Sequence, residues 1–247
     1  MILPSLRRRV LFVAASALVL AGCGGLFPKT PPRQLYRVAP EFAFRTALPH
    51  VAAQLIVDVP VAPAGLDTAR IALSRLPLSL DYFADAQWTD RAPLLVQSAL
   101  VDAFEKSHAL AGVGREGFSL HADLVLETEL DHFEAVYDSP DGAPRVRVTL
   151  DLQLVRMPQR AIAAQTSLTR EARAAGTTIP QIVPAFGAAL GAAAEAAVVW
   201  TVDQSRLVGA APIGMLDTVR SRRLRQGVKG GTGGARGAGR GGAARVP

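Results

Sequence analysis

Apolar and polar residues alternate most regularly between residues 121 and 173. Ala122, Leu124, Leu126 and Leu130 share one parity, and Asp123, Glu127, Glu129 and Asp131 share the other. That period of two predicts a strand with one buried and one wet face. The parity then slips, with Phe133, Ala135 and Tyr137 on odd positions, which predicts a β-bulge near Asp131–Phe133. A turn is expected at Ser139–Gly142. The next strand buries Val146, Val148, Leu150, Leu152 and Leu154 and turns Arg145, Arg147, Thr149, Asp151 and Gln153 outward. A second turn at Met157–Arg160 leads to a third strand carrying Ile162, Ala164, Thr166 and Leu168. Upstream, strands are expected at Leu35–Val38 and Gln54–Val59. Ile71–Ser74 and Leu78–Tyr82 form a hairpin about Arg75–Pro77.

Two segments change to helical spacing. Val96, Leu100, Ala103 and Phe104 predict a helix ending near Ser107, with Thr89 or Asp90 as its cap and Pro93 in its first turn. Ile182, Phe186, Leu190, Ala194 and Val198 form a stripe at spacing four, on a helix expected over Ile179–Asp203. The fold class is α+β: an antiparallel sheet, as a meander, with two main helices packed on one face. No internal repeat is evident.

Residues 1–22 do not fit that pattern. Arg7, Arg8 and Arg9 precede a mainly apolar run from Val10 to Leu20, too short for a bilayer span of roughly 20 residues. This is the layout of a secretory signal. Leu20-Ala21-Gly22-Cys23 follows and resembles the lipobox of bacterial lipoproteins, in which the cysteine thiol takes diacylglycerol and the peptide is cut before it. The resemblance implies lipidation at Cys23, palmitate among the acyl chains, and a stable anchor from several chains. Gly24, where an Asp would favour inner-membrane retention, implies the outer membrane. Residues 23–34 are then a Pro-rich tether, 35–205 a periplasmic α+β domain, and 206–247 a disordered basic tail rich in Arg and Gly.

Charge refines the partner class. The 247 residues carry 27 Lys and Arg against 21 Asp and Glu, a net +6, with 49% hydrophobic residues. Three of the basic residues lie in the first 22 positions and eight lie beyond Asp217, so residues 23–218 hold 16 basic and 21 acidic side chains. A domain of that balance gains nothing from a polyphosphate, and no nucleic-acid partner is expected. The tail resembles RGG segments, but an exported lipoprotein meets anionic lipid rather than RNA. One cysteine and four scattered histidines exclude a disulfide framework and a Cys-cluster metal site. Neither a metal nor a cofactor is expected.

Three apparent motifs read as structure. Gly112–Gly117 matches G-x-G-x-x-G but follows a helix and precedes a strand, the wrong order for a dinucleotide site, so its glycines are expected at turns and strand edges. Asp123, Glu127, Glu129, Asp131 and His121 are spread along a strand at about 7 Å intervals and read as a solvated face paired with Arg145 and Arg147. Ile182–Val202 is apolar and contains Gly187 and Gly191 as G-x-x-x-G, but Glu195 and Pro184 make it a core helix. No nucleophile elbow, P-loop or His-Glu-x-x-His is present, and no enzyme activity is expected.

Leu55–Asp58, the run APAGLDTARIAL over 62–73, and LDYFADAQWTDRAPLLV over 80–96 together resemble the ABC-type transport auxiliary lipoprotein family. The resemblance covers about residues 33–205; the basic tail departs from it. It implies a non-enzymatic component of a phospholipid or sterol transport system, docked to a periplasmic subunit with a mammalian-cell-entry domain. Tyr82, Phe83, Asp85, Trp88, Asp90 and Arg91 are the candidate partner interface, with core packing the competing role for Tyr82 and Trp88. A homo-oligomer and bound lipid stay open. The other classes are a structural or assembly lipoprotein of the envelope and an exported hydrolase.

Overall fold

The computed structural model describes residues 33–76, 78–117 and 122–210. Its elements run β1 (Gln34–Tyr36), β2 (Val51–Val57), β3 (Arg70–Ser74), β4 (Asp81–Trp88), α1 (Ala92–Ser107), β5 (Leu110–Arg115), β6 (Leu124–Val136), β7 (Arg145–Arg156), β8 (Ala161–Arg173) and α2 (Ile179–Ala210). The signal segment, Cys23 and nearly all of the tether, together with His121 and residues 211–247, lie outside the described residues.

The fold is α+β, and its eight-stranded sheet is mixed rather than purely antiparallel. The β6–β7–β8 meander is antiparallel as the parity predicts, with the bulge between Leu130 and His132. The other edge of β6 takes parallel partners. Leu55–Val57 of β2 pair with Leu124–Leu126, and Ala72–Ser74 of β3 pair with Glu134–Val136. Between them Val61 bridges to Glu129. One edge of β6 is thus closed by two strands laid end to end. β5 lies parallel to β2, returned to that direction by the α1 crossover. Alternation is the same in parallel and antiparallel strands, so residue pattern alone does not show this difference.

The helix stripe and the β7 row meet in the core. Ile182, Phe186, Leu190, Ala194 and Val198 are fully buried, as are Val146, Val148, Leu150 and Leu154. Trp88, Phe133 and Phe186 join β4, β6 and α2 in one aromatic cluster with centroids 4.9–5.8 Å apart. Ile179–Leu207 is long and apolar enough to cross a bilayer, yet most of it is buried within the domain. It runs on as helix to Ala210, five residues into the stretch expected as tail.

Gly187 and Gly191 have a specific use. Residues 37–50 cross α2 as an extended strap, and a Cβ on either glycine would sit 2.6 Å from the Ala39 carbonyl oxygen or 2.5 Å from that of Glu41. One turn further, the Glu195 carboxylate accepts the Ala43 amide. The small pair and the charge on one helix face therefore seat the strap, not a second membrane helix.

Other expectations change in detail. The α1 N-cap is Arg91, without a side-chain cap bond. The Ala92 amide donates to Thr68 O and those of Leu94 and Leu95 to Arg91 O, so backbone carbonyls do what Thr89 or Asp90 was expected to do. Gly112 and Gly114 lie inside β5, an edge strand absent from the pattern reading, while Gly117 takes φ +93° in the following turn. The hairpin partner of β3 begins at Asp81, so Leu78 and Leu80 belong to the turn rather than to a strand. β8 is an edge strand on which Ile162 is exposed.

Candidate docking surface

The sheet face away from the helices carries a groove of about 640 Å³. One wall is the β2–β3 loop, with Pro63, Gly65 and Leu66, and the β3–β4 turn, with Leu76, Leu78 and Leu80. The floor is β6, with Asp131, His132, Glu134 and Tyr137, bordered by Arg147. The walls are apolar and the floor is acidic.

The turn is unusual. The Ser79 amide donates to Leu76 O at 3.2 Å, closing a four-residue turn whose third position is Leu78. Leu78 has φ +67°, a conformation normally taken there by Gly or Asn. A left-handed leucine costs on the order of 1–2 kcal/mol. The Ser74 and Ser79 hydroxyls both donate to Leu76 O, at 3.2 and 3.0 Å, and brace the turn. Leu78 is fully exposed, Leu76 is 68% exposed and Leu80 is 40% exposed.

The floor is ordered by charge. Arg145 binds Asp138 through two bonds of 2.9 and 2.8 Å and also reaches Glu171. Arg147 binds Glu171 at 2.8 Å. The hydrogen bond from Arg145 holds the Asp138 carboxyl below the ordinary range, and that from Arg147 does the same for Glu171. The acids of β6 were expected to meet these arginines. The register instead places Arg147 opposite Glu134 and Glu171, and Arg145 opposite Val136 and Arg173. Glu127 pairs with Arg160 at 2.9 Å, and Asp123 accepts the Gln54 amide at 2.8 Å. Asp131, the bulge residue, is pushed up, first by desolvation and then by the neighbouring Asp151. One Asp151 carboxylate oxygen is buried without a partner. His132 Nδ1 lies 3.1 Å from Glu134 Oε1. Among the described residues, no three His, Cys, Asp or Glu side chains converge as a metal site.

The expected interface residues divide. Trp88 is 1% exposed and belongs to the aromatic core. Tyr82 is half-buried, donates to Gly65 O at 2.9 Å and has the Arg70 guanidinium 3.4 Å from its ring centroid. Phe83 packs partly against the core. Asp85, Asp90 and Arg91 are exposed. Arg91 Nε binds Asp67 at 2.7 Å, and Asp90 accepts the Arg91 amide at 2.7 Å. Arg91 thus ties the α1 entry to the β2–β3 loop. Sequence reasoning misses the leucine turn; its one signal is three leucines at alternate positions where a polar turn is usual.

The family model for the ABC-type transport auxiliary lipoprotein component matches residues 35–198. The chain belongs to this family. The uncharacterised protein bll6063 of Bradyrhizobium diazoefficiens is 29% identical over 152 residues, which cover 62% of this chain and 40% of that protein. The crystal structure of protein XCC0632 from Xanthomonas campestris superposes with a TM-score of 0.67 at 24% identity, covering 72% of this chain and 99% of that one. A second crystal structure, of an uncharacterised protein, gives 0.54 at 13% identity over 69% of this chain and 99% of that one. Both solved structures share the fold. The family places the chain among envelope lipoproteins that assist ABC-type transport.

Proposed function

We propose that this protein is a non-enzymatic auxiliary component of an ABC-type lipid transport system, held by acyl chains on Cys23 at the periplasmic face of the outer membrane. The family match over residues 35–198 carries the reading. The Leu20–Cys23 motif upstream supports it independently. The partner is a periplasmic subunit with a mammalian-cell-entry domain, and the cargo is a phospholipid or sterol. The exposed Asp85, Asp90 and Arg91 beside Phe83 are the surface offered to that subunit.

In-cell crosslinking and pull-down of the full chain, with a Cys23→Ala copy beside it, tests the reading. Recovery of a mammalian-cell-entry-domain protein, weakened by Cys23→Ala, is the expected result. Recovery of envelope scaffold proteins alone would overturn it in favour of a structural lipoprotein.

A further inference from the structure

The direction of β1 shows from which end of the sheet the N-terminal segment enters the domain. β1 is parallel to β4, with Gln34 opposite Ala86 and Tyr36 opposite Trp88. The chain therefore enters β1 from the side where β4 begins, the side of the β3–β4 turn. Asp81 lies five residues before Ala86, about 17 Å along the strand. Residues 23–33 supply eleven residues, which extend to at most about 40 Å. The turn thus lies at the end of the sheet from which the chain enters, at a distance that eleven extended residues can span.

Leu76, Leu78 and Leu80 are exposed at this end. Exposed Arg75 precedes them and exposed Asp81 follows them, and the groove they wall also holds Asp131, Glu134 and Asp138. Leu78 is held fully exposed at φ +67°, where Gly would relieve the backbone. An exposed apolar tip at the end of the sheet from which the N-terminal segment enters has the chemistry of a bilayer interface.

We propose that Leu76, Leu78 and Leu80 form a second membrane contact, inserting their side chains into the leaflet that carries the anchor and fixing the orientation of the domain. The proposal rests on Cys23 bearing that anchor. The acyl chains supply the attachment itself, and the turn would add an orienting contact beside them.

The test couples the full mature chain through Cys23, its only cysteine, to a maleimide lipid in phosphatidylethanolamine–phosphatidylglycerol vesicles. Leu78→Trp reports contact, and Ile162→Trp is the control. Ile162 lies at the Val125 end of the sheet, about 35 Å along β6 from the Val136 end. Brominated acyl chains should quench the added fluorescence of the Leu78→Trp variant and leave that of Ile162→Trp unaffected, each relative to the parent chain. Replacing all three leucines by serine should weaken vesicle binding of the untethered chain by roughly tenfold or more. Leu78→Gly should weaken it too without lowering Tm. Three outcomes would overturn the proposal: equal quenching of both variants, no quenching of Leu78→Trp, or a vesicle-independent burial of its new indole that rises with protein concentration. The last of these would assign the tip to a second copy. Because the tether is chemical, these results do not depend on acylation in cells. Mass spectrometry of the protein from its host checks Cys23 acylation separately.

Discussion

Replacing Gly191 by Ala sets helix propensity against packing, and the two predict opposite signs. In an open helix the change stabilises by about 0.8–1.0 kcal/mol. In α2 the new Cβ would stand 2.5 Å from Glu41 O, about 0.9 Å inside the 3.4 Å of ordinary contact. The obstacle is backbone, and the Ala43 amide bound to Glu195 holds the strap one turn away. Overpacking of this kind costs about 1–3 kcal/mol, and losing a hydrogen bond to a charged group adds about 1.5–3 kcal/mol. With part of each realised, the net is a destabilisation of about 2 kcal/mol, or roughly 4–8 °C in Tm for a domain of this size. Thermal unfolding followed by circular dichroism measures it, and Ala188→Gly on the exposed side of α2 calibrates propensity alone. An unchanged or raised Tm for Gly191→Ala would refute the strap as a seated element.

Two further substitutions probe other parts of the domain. Phe186→Ala opens the space between Trp88 and Phe133 and should cost about 3–5 kcal/mol, read by urea denaturation. Asp131→Asn should stabilise the domain at neutral pH, by relieving the desolvated charge beside Asp151. The folded chain holds the Asp131 proton more tightly than the unfolded chain, since burial and Asp151 raise its pKa. Stability from this group is therefore present below the ordinary carboxylate range and is lost as pH rises through the raised value. The gain from Asn should vanish below about pH 4, and a gain that persists there would have another origin.

Sequence pattern is most informative where burial is one-sided. The even row of β7 and the spacing-four stripe of α2 are legible because each faces one core, and the bulge because the parity changes at Asp131. Glu195 reads as a reason against a membrane span, and it is, but its partner amide at Ala43 lies 152 residues away and leaves no local trace. The parallel pairings of β2 and β3 are hidden for the same reason, since period two carries no direction. β5 is invisible because Gly112 and Gly114 have no side chains to alternate. At the candidate surface, Asp85, Asp90 and Arg91 are found by composition and are exposed, whereas Trp88 of the same run is core. The leucine turn escapes because exposure of an apolar residue depends on where the chain turns, and residue pattern sets that turn at 75–77, ahead of the bonded turn that Leu76 and Ser79 close.

The closure of one edge of β6 by two separate strands bears on how this domain can be divided. A cut in the connection after β5 would leave β6–β7–β8 with α2, which looks self-contained along the chain. That fragment would bare the backbone of β6 at both ends, at Leu124–Leu126 and Glu134–Val136, beside the core. The complementary piece would keep β2 and β3 with no common neighbour to align them. Neither part is a module, so fusions, insertions and evolutionary exchange are confined to the chain ends and surface loops.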